Sequence, residues 1–338
     1  MKVYIKNRKR RKEDYMYFMQ SFVEAAITCG INAKKQYFFS NKKLEKKMIR
    51  YADTILTLIN KYLPSLIRKK KAIIITAAGD TIFKESFPYF YNSEIIPMLW
   101  DVWPARWEGI SYNLKYLKCK LCFVTVKSVA EKIKKEIGID AYWIPEGICI
   151  SDYQKGNPLV MRENDILELG RQHPFYHYIL ETLEQEKQIH GYARNTYYPN
   201  GNYKTLAFPK AHELIEALPT FKIIISFPRT ITHPEQAGNM ETLTQRYWEG
   251  MLSGCLIIGK APQELIDLIG YNPVIDINLS SSEAVLKEQI KTILQNISIY
   301  QDLVDKNYKT ALQYASWDQR MKQIKVILTQ HGYDTSPF

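Results

Sequence analysis

Cysteines and long apolar runs are scarce in this sequence, and each scarcity excludes a class of protein. The 338 residues contain five cysteines, and the one CxxC, Cys119 to Cys122, has neither a second pair nor suitably spaced histidines to complete a structural zinc site. The longest apolar runs, such as Ala72–Ala78, are far shorter than the roughly 20 residues that a membrane span needs. The N-terminus is charged but has no apolar segment behind it, unlike a secretory signal. These absences predict a cytoplasmic protein in a reducing compartment.

Charge is unevenly distributed along the chain. Positions 1–150 hold 28 of the 46 basic and 14 of the 35 acidic residues, a balance of +14, and the remaining 18 and 21 give −3. Three basic runs lie in this half, at Lys6–Lys12, Lys42–Lys47 and Arg68–Lys71. The asymmetry predicts an anionic partner, and a membrane surface, an acidic acceptor or nucleic acid would each satisfy it. For Lys42–Lys47 a solvated lysine face is the favoured interpretation.

Alternating strand and helix patterns predict an α/β protein. In the first half, Met1–Lys6 and Gln36–Phe39 have strand character and Glu13–Cys29 has helical spacing. Continuous apolar runs at Ala72–Thr76, Ile95–Leu99 and Leu121–Val126 are typical of strands buried on both faces of a parallel sheet. The sequence therefore predicts domains at 1–150 and 165–315, a linker at 151–164, and a C-terminal helix at 316–338 placed against the first domain. The predicted fold is two Rossmann-like, doubly wound halves facing a central cleft, with a helical tail.

One segment of the second half combines helical spacing with residues suited to an anionic ligand. A buried strand at Phe221–Phe227 leads into a loop, and a helix is predicted from Met240 to Leu252. The start of that helix, at Gly238 and Asn239, would present free backbone donors and a partial positive charge to a phosphate. This pattern predicts a phosphate site at the first turn of the helix.

Two glutamates of the same segment are spaced for ligand binding. Glu241 and Glu249 are eight residues apart, and on a continuous helix they would lie within about 20° of one face. Each carboxylate would accept hydrogen bonds from a pair of hydroxyls, while Arg246 between them would bind a diphosphate. The alternative is an amphipathic helix that packs its apolar residues on the sheet and leaves both glutamates in solvent.

The stretch from Thr244 to Ile258, with Gly259–Glu264 after it, resembles the donor-binding helix of GT-B glycosyltransferases. It is most similar to the CgeB-like and glycosyltransferase-family-4-like groups, whose pattern is roughly R-x-x-E-x-x-x-x-G, an apolar strand and a turn with Glu-Leu. The resemblance implies transfer of a glycosyl group from a nucleoside-diphosphate sugar to a hydroxyl, with no metal or other cofactor. It implies that Glu249 holds the nucleotide ribose, that Glu241 lies near the donor sugar, and that Arg171 reaches the diphosphate. The residues assigned to nucleotide-sugar binding are Arg171, Arg229, His233, Gly238, Asn239, Thr244, Arg246 and Glu249.

An inverting enzyme of this kind would need a general base from the first domain. Asp80 and Asp101 each follow a buried strand, and with Glu241 they are the catalytic candidates, although a turn or cap role would explain either aspartate. Among the histidines considered as bases or phosphate partners, His233 has the most suitable position, because it lies in the loop before the key helix.

The implied partners are a nucleotide sugar and a carbohydrate or glycolipid acceptor, as in cell-envelope polysaccharide assembly. An anionic membrane surface is a further partner that Lys6–Lys12 would suit, and it would place the protein on the cytoplasmic face of a membrane. Nucleic acid is not expected. Two alternatives stay open: a nucleic-acid-binding protein that uses the basic half, which has no recognisable binding module, and a non-catalytic relative that binds nucleotide sugars.

Overall fold

The computed structural model describes residues 1–7, 17–35, 42–62, 69–198 and 203–336, which divide into two units. The first unit comprises the described residues up to Pro145 together with those from Trp317 onward, and the second comprises the described residues of Glu146–Ser316. None of the described helices has the length and apolar content that crossing a bilayer requires.

The first unit is built on a six-stranded parallel sheet with strand order β2-β1-β3-β4-β5-β6. Its strands are β1 (Lys2–Asn7), β2 (Asn32–Lys35), β3 (Lys71–Ala78), β4 (Ser93–Trp100), β5 (Leu121–Val124) and β6 (Asp140–Trp143). Its helices are α1 (Tyr17–Thr28), α2 (Lys42–Tyr62), α3 (Ile82–Ser86), α4 (Trp107–Tyr116), α5 (Lys127–Ile137) and the C-terminal α14 (Trp317–Gln330). Strand β4 is buried at every position, as its continuous apolar run predicts for a doubly covered strand.

The C-terminal helix belongs to the core of the first unit. Trp317, at the start of α14, is buried with its ring edge-on to Phe22 at 5.2 Å between centroids, and its indole N–H donates to Ser21 Oγ at 2.9 Å. Phe22 also packs edge-on against Trp100, at 5.5 Å. Edge-to-face contacts of this kind favour one arrangement of large rings in a core.

The edge strand β2 covers residues for which the sequence predicted no strand. The prediction at Gln36–Phe39 falls outside the described residues, whereas the observed β2 pairs with β1 from Asn32, opposite Tyr4. Gly30, with φ of 103°, ends the preceding helix and turns the chain into the sheet at once. The sequence Asn-Ala-Lys-Lys has no apolar alternation, so pairing at the sheet edge, not local pattern, makes it a strand.

The second unit contains a five-stranded parallel sheet with order β13-β12-β11-β7-β8, and a small antiparallel hairpin. The strands are β7 (Asn164–Glu168), β8 (Tyr192–Arg194), β9 (Thr196–Tyr197), β10 (Tyr203–Thr205), β11 (Phe221–Ser226), β12 (Leu256–Gly259) and β13 (Val274–Asp276). The helices are α6 (Pro174–Gln185), α7 (Ala211–Ala217), α8 (Arg229–Thr232), α9 (Pro234–Ala237), α10 (Gln245–Leu252), α11 (Gln263–Ile269), α12 (Glu283–Gln295) and α13 (Gln301–Tyr314). The predicted α/β architecture with parallel sheets is confirmed.

The two strand orders place a switch point in each sheet. In the first sheet, the chain leaves β1 to one side for β2 and to the other for β3; in the second, it leaves β7 for β8 and then crosses to β11. Open α/β sheets bind ligands at the carboxyl ends of the strands at such a reversal. The carboxyl ends of β7 and β11 are therefore the expected ligand position of the second unit.

The predicted start of the helix at Met240 is wrong, because α10 begins at Gln245. The backbone N–H of Leu243 donates to Glu264 Oε2 at 3.1 Å, and Thr244 is extended with φ of −115° and ψ of 159°. This tertiary hydrogen bond and the β-branched threonines hold 241–244 out of the helix. Gly238, with φ of 53° and ψ of −129°, closes the short α9 instead of opening α10.

Gly250 lets α10 approach the sheet closely, and substitution by Ala is expected to lower the free energy of unfolding by about 1–3 kcal/mol through overpacking. A Cβ at this position would lie 2.9 Å from Ile224 Cγ2 and 3.1 Å from Ile257 Cγ1. Replacing glycine by alanine inside a helix ordinarily raises the free energy of unfolding by up to about 1 kcal/mol. A decrease in this free energy would therefore indicate the close contact between α10 and the sheet. Urea unfolding of Gly250→Ala, with Glu288→Ala on α12 as the exposed control, measures it; a stabilised Gly250→Ala variant would contradict this packing.

Candidate functional site

Basic side chains meet at the carboxyl ends of β7 and β11. Arg171 follows β7 after Gly170, whose φ is 77°, and Arg229 is the first residue of α8, directly after β11. His233 follows α8, and its pKa is lowered by burial and then by the positive charges of Arg229 and Arg171, against the opposing charge of Glu235. The three side chains therefore lie within electrostatic range of one another, and they form a cationic group at the switch point of the second sheet.

Arg246 extends this group from α10. A Cβ on Gly170 would lie 4.0 Å from Arg246 Nη2, which places the guanidinium beside the turn that carries Arg171. Arg246 Nη1 lies 2.7 Å from Glu249 Oε2, one turn further along the helix. A Cβ at this distance would make an ordinary van der Waals contact, so the φ of 77° and not the guanidinium favours glycine at position 170.

Glu249 is held by two groups and is largely buried. Besides the ion pair with Arg246, its Oε1 accepts a hydrogen bond from Tyr153 Oη at 3.3 Å. The pKa of Tyr153 is raised well above its ordinary value by burial first and by the charge of Glu249 second, so the phenol stays protonated and donates. A carboxylate with fixed orientation and low exposure is a strong acceptor for hydroxyls of a bound ligand.

Glu241 does not share a helical face with Glu249, so the predicted geometry of two carboxylates on one helix is wrong. It lies in the extended segment before α10, and its Oε2 accepts from the backbone N–H of Gln263 at 3.0 Å, in the first turn of α11. Its charge still raises the pKa of the Tyr247 phenol, whose shift comes mainly from burial and is opposed by Arg171. Glu241 therefore lies close enough to Tyr247 to affect the pKa of its phenol, as Arg171 does. Its hydrogen bond, however, caps the first turn of α11.

The first turn of α10 already donates a backbone hydrogen bond to a carboxylate, at the position where the sequence predicted a phosphate. The backbone N–H of Gln245 donates to Glu146 Oε2 at 3.2 Å, and the Thr244 side chain makes no capping hydrogen bond. Gly238 and Asn239 are exposed and lie before the extended segment, away from the start of the helix in sequence. The Glu146 carboxylate therefore satisfies one of the backbone donors at which the sequence predicted a phosphate.

Lys260 adds a further cation at the carboxyl edge of the sheet. Its backbone N–H donates to Ser226 O at 3.0 Å, so the residue lies directly beside the end of β11. Tyr247 Oη donates to the Lys260 carbonyl at 2.6 Å, and Lys260 Nζ lies 3.5 Å from Asp276 Oδ2. This lysine falls within Gly259–Glu264, the end of the stretch that resembles the donor-binding helix.

The two aspartate candidates differ in their position on the first sheet. Asp80 follows β3, one of the two strands at the switch point, and its Oδ1 lies 3.2 Å from Arg106 Nη1 with both side chains half-exposed. Asp101 follows β4, one strand further along, and has an unusual φ of 50°. Position at a switch point therefore favours Asp80 over Asp101 as a residue that faces a ligand. The basic run that follows β1, Lys6–Lys12, lies outside the described residues from position 8 onward.

Several residues that organise the site were missed by sequence reasoning. Tyr153 and Glu146 lie 96 and 99 residues before their partners on α10, Tyr153 within the predicted linker 151–164 and Glu146 just before it. At the end of β7, buried Glu168 accepts hydrogen bonds from His177 at 2.6 Å and from Tyr192. Although burial lowers the pKa of His177, its contacts with Glu168 outweigh that effect and raise it.

Comparisons with known proteins bear on the fold of the chain. Residues 171–325 match the model of the family described as "Glycosyl transferase-like". Among solved structures, Anabaena HepE in complex with UDP and glucose is 12% identical with a TM-score of 0.58, over 98% of this chain and 100% of that one. Sucrose-phosphate synthase from Thermosynechococcus elongatus is 10% identical with a TM-score of 0.60, and a glycosyltransferase from Rickettsia africae is 13% identical with 0.55; each match covers 97% of this chain and 98% of the other. Comparison with curated proteins finds no match. These similarities confirm the GT-B fold, while the finer CgeB-like assignment stays a prediction.

Proposed function

We propose that this protein of the GT-B fold is a glycosyltransferase, which transfers a sugar from a nucleoside-diphosphate donor to a hydroxyl of a carbohydrate acceptor. The observation that carries the proposal is the cationic group of Arg171, Arg229 and His233 at the switch point of the second sheet, with Arg246 beside it. A concentration of positive charge at this position suits a diphosphate, which carries negative charge on both phosphates. Arginine binds phosphate oxygens through two parallel N–H donors, so it fixes orientation as well as charge.

In this proposal Glu249 binds the ribose of the nucleotide. Its carboxylate is held in place by Tyr153 and Arg246, and it lies on the same helix as the guanidinium next to Gly170. The diphosphate and the ribose are adjacent parts of one ligand, which agrees with adjacent recognition groups on α10. Because Anabaena HepE is described in complex with UDP, a uridine nucleotide is the first donor to test.

The proposed catalytic contribution of the second unit is stabilisation of the leaving diphosphate. Negative charge develops on the bridging oxygen as the bond to the sugar breaks, and fixed cations beside it lower the barrier. Asp80 is our preferred base for the acceptor hydroxyl, because it lies at the switch point of the first sheet. Glu241 stays a candidate near the donor sugar, and its capping hydrogen bond to α11 would hold it in position.

The acceptor and setting are also proposals. A carbohydrate or glycolipid of the cell envelope suits an enzyme whose first 150 residues carry a balance of +14, since such acceptors are often anionic or membrane-bound. The same charge supports association with the cytoplasmic face of a membrane.

A thermal-shift and turnover screen with UDP-, GDP- and dTDP-sugars tests the proposed function. We expect stabilisation by one nucleotide class, and slow hydrolysis of the corresponding sugar in the absence of acceptor. Stabilisation without any turnover, even with acceptors supplied, would identify a non-catalytic relative. If no nucleotide stabilises the protein and DNA binds it in a salt-sensitive way, the nucleic-acid interpretation replaces this one.

Donor binding is expected to take up protons near pH 6, in the ordinary titration range of histidine. Burial and two arginines lower the pKa of His233 in the free protein, and a bound diphosphate would raise it. Affinity should therefore increase as pH falls through the higher, bound-state pKa and level off below the free-state pKa. Calorimetry of UDP-sugar binding in buffers of different ionisation enthalpy measures this uptake, which should vanish in His233→Gln. Exposed His212→Gln on α7 is the control, and uptake that persists in His233→Gln would contradict the assignment.

A further inference from the structure

Helix α2 carries a line of apolar side chains that faces solvent. Met48, Tyr51, Ile55 and Leu58 are 40%, 57%, 50% and 51% exposed. Leu44 and Tyr62 continue the line at both ends and are also exposed. Steps of four and three residues keep all six on one side of the helix, over a length of about 27 Å. Single exposed apolar residues are ordinary, but a continuous line of this length marks a surface that contacts something apolar. We call these six residues the apolar stripe.

A different face of α2 attaches the helix to the first unit. Ala52 and Leu56 are buried, and the Ala52 carbonyl accepts a hydrogen bond from Tyr91 Oη at 2.7 Å. Tyr116 Oη donates to Asp53 Oδ1 at 2.8 Å, and it lies 2.8 Å from Thr57 Oγ1. The apolar stripe is therefore not the face that contacts Tyr91 and Tyr116. Helical geometry places it about 100° around from that face.

Basic side chains border the apolar stripe on its other side. At about 100° per residue, Lys43, Lys47 and Arg50 fall next to the stripe on the side away from the core. All three are exposed, as is Lys46. The whole helix has six basic residues and two acidic ones, Glu45 and Asp53. The lysines that the sequence suggested as a solvated face thus have an apolar surface beside them.

We propose that the apolar stripe and its bordering lysines bind an anionic lipid bilayer, with α2 lying in the plane of the membrane surface. An amphipathic helix with apolar side chains on one face and Lys/Arg beside them enters the headgroup region in this orientation. Charge decides between this occupant and a second copy of the chain, because two copies joined along α2 would bring two sets of basic residues together, whereas acidic headgroups neutralise them. Helix α2 would then be the element of the first unit that meets the membrane, and this contact does not depend on the function of the donor site.

Flotation of the full-length protein with vesicles tests the proposal. Vesicles of equal parts phosphatidylcholine and phosphatidylglycerol are expected to bind the protein, and vesicles of phosphatidylcholine alone much less. Met48→Gln with Ile55→Gln should weaken partitioning by about 25-fold, roughly fivefold for each half-exposed side chain that no longer enters the bilayer. Lys47→Gln with Arg50→Gln should weaken it by a similar factor of about 25 on anionic vesicles only. Ile299→Gln, in the second unit and 69% exposed, is the matched control and should bind like wild type.

Two outcomes would overturn the proposal. The first is that wild type fails to float with anionic vesicles, or that the Met48/Ile55 variant, shown to be folded by circular dichroism, floats as well as wild type. In the latter case other basic segments would account for the binding. In the other, light scattering shows a wild-type dimer that becomes a monomer in the Met48/Ile55 variant without any vesicle binding, so that the stripe joins two copies of the chain. Because the Met48, Ile55, Lys47 and Arg50 substitutions all lie in α2, unchanged stabilisation of these variants by nucleotide separates this test from that of the donor site.

Discussion

Glu249→Gln is expected to raise the KM for the nucleotide-sugar donor by about 100-fold, equivalent to about 3 kcal/mol of lost binding. The amide keeps the shape of the side chain but has one acceptor oxygen and no charge, so two charge-assisted hydrogen bonds to the ribose become at most one weaker bond. Arg246 also loses the carboxylate that lies 2.7 Å from its Nη1. Steady-state kinetics across donor concentrations, together with calorimetry of UDP binding, measure the change.

The control for this prediction is Glu288→Gln on α12, a glutamate that is 64% exposed and paired with Lys291 in the same i,i+3 spacing as Arg246 and Glu249. It should leave KM unchanged. Thermal unfolding of Glu249→Gln without ligand shows whether the site is merely disrupted. An unaltered KM in a folded Glu249→Gln protein would show that this carboxylate does not bind the ribose.

Arg229→Ala is expected to lower kcat/KM by about 1,000-fold, mostly through kcat, because removing one fixed donor to developing negative charge costs roughly 3–4 kcal/mol. Arg229 begins α8 at the carboxyl end of β11, and its charge acts on His233 together with that of Arg171. Arg229→Lys should recover part of the activity, since it restores the charge but not the paired N–H donors.

Lys291→Ala on α12 removes a cation from the same unit away from the switch point, and it should leave kcat unchanged. The pH dependence gives a second readout. Loss of the neighbouring positive charge should move the pKa of His233 toward its ordinary value, which NMR titration of the ring protons detects. A kcat that survives Arg229→Ala, with the His233 shift intact, would mean that this arginine lies away from the leaving group.

Much of the fold was predictable because the patterns that indicate strands and helices are contained in short segments of the sequence. The strands β3, β4 and β11 are continuous apolar runs, and the helical spacing of Glu13–Cys29 predicted the helix α1. The edge strand β2 was not predictable, since Asn32–Lys35 has no strand pattern and takes its conformation from pairing with β1. Edge pairing is a tertiary effect that no short window contains.

The site was predictable only in part. Arg171 was assigned through the family resemblance, and Arg229 and His233 lie in the loop between a predicted strand and the key helix; parallel sheets bring the ends of such strands together. The geometry of Glu241 was not predictable, because a hydrogen bond from Leu243 to Glu264, 21 residues further on, keeps the intervening chain extended. Tyr153 and Glu146 lay in a stretch without periodicity, and nothing in the spacing connected them with a helix about a hundred residues away.

The sequence alone therefore determined the α/β architecture, the basic character of the first half, and the arginines that follow β7 and β11, because periodicity, charge and strand-end position are properties of short segments. The tertiary structure decided that Glu249 is fixed by Tyr153 and Arg246 while Glu241 caps α11. It also decided that α2 buries one edge and exposes another, although both edges have helical apolar spacing. The physical reason is the same in each case: long-range hydrogen bonds and packing, which a local pattern does not contain, select which groups are left to meet a ligand or a membrane.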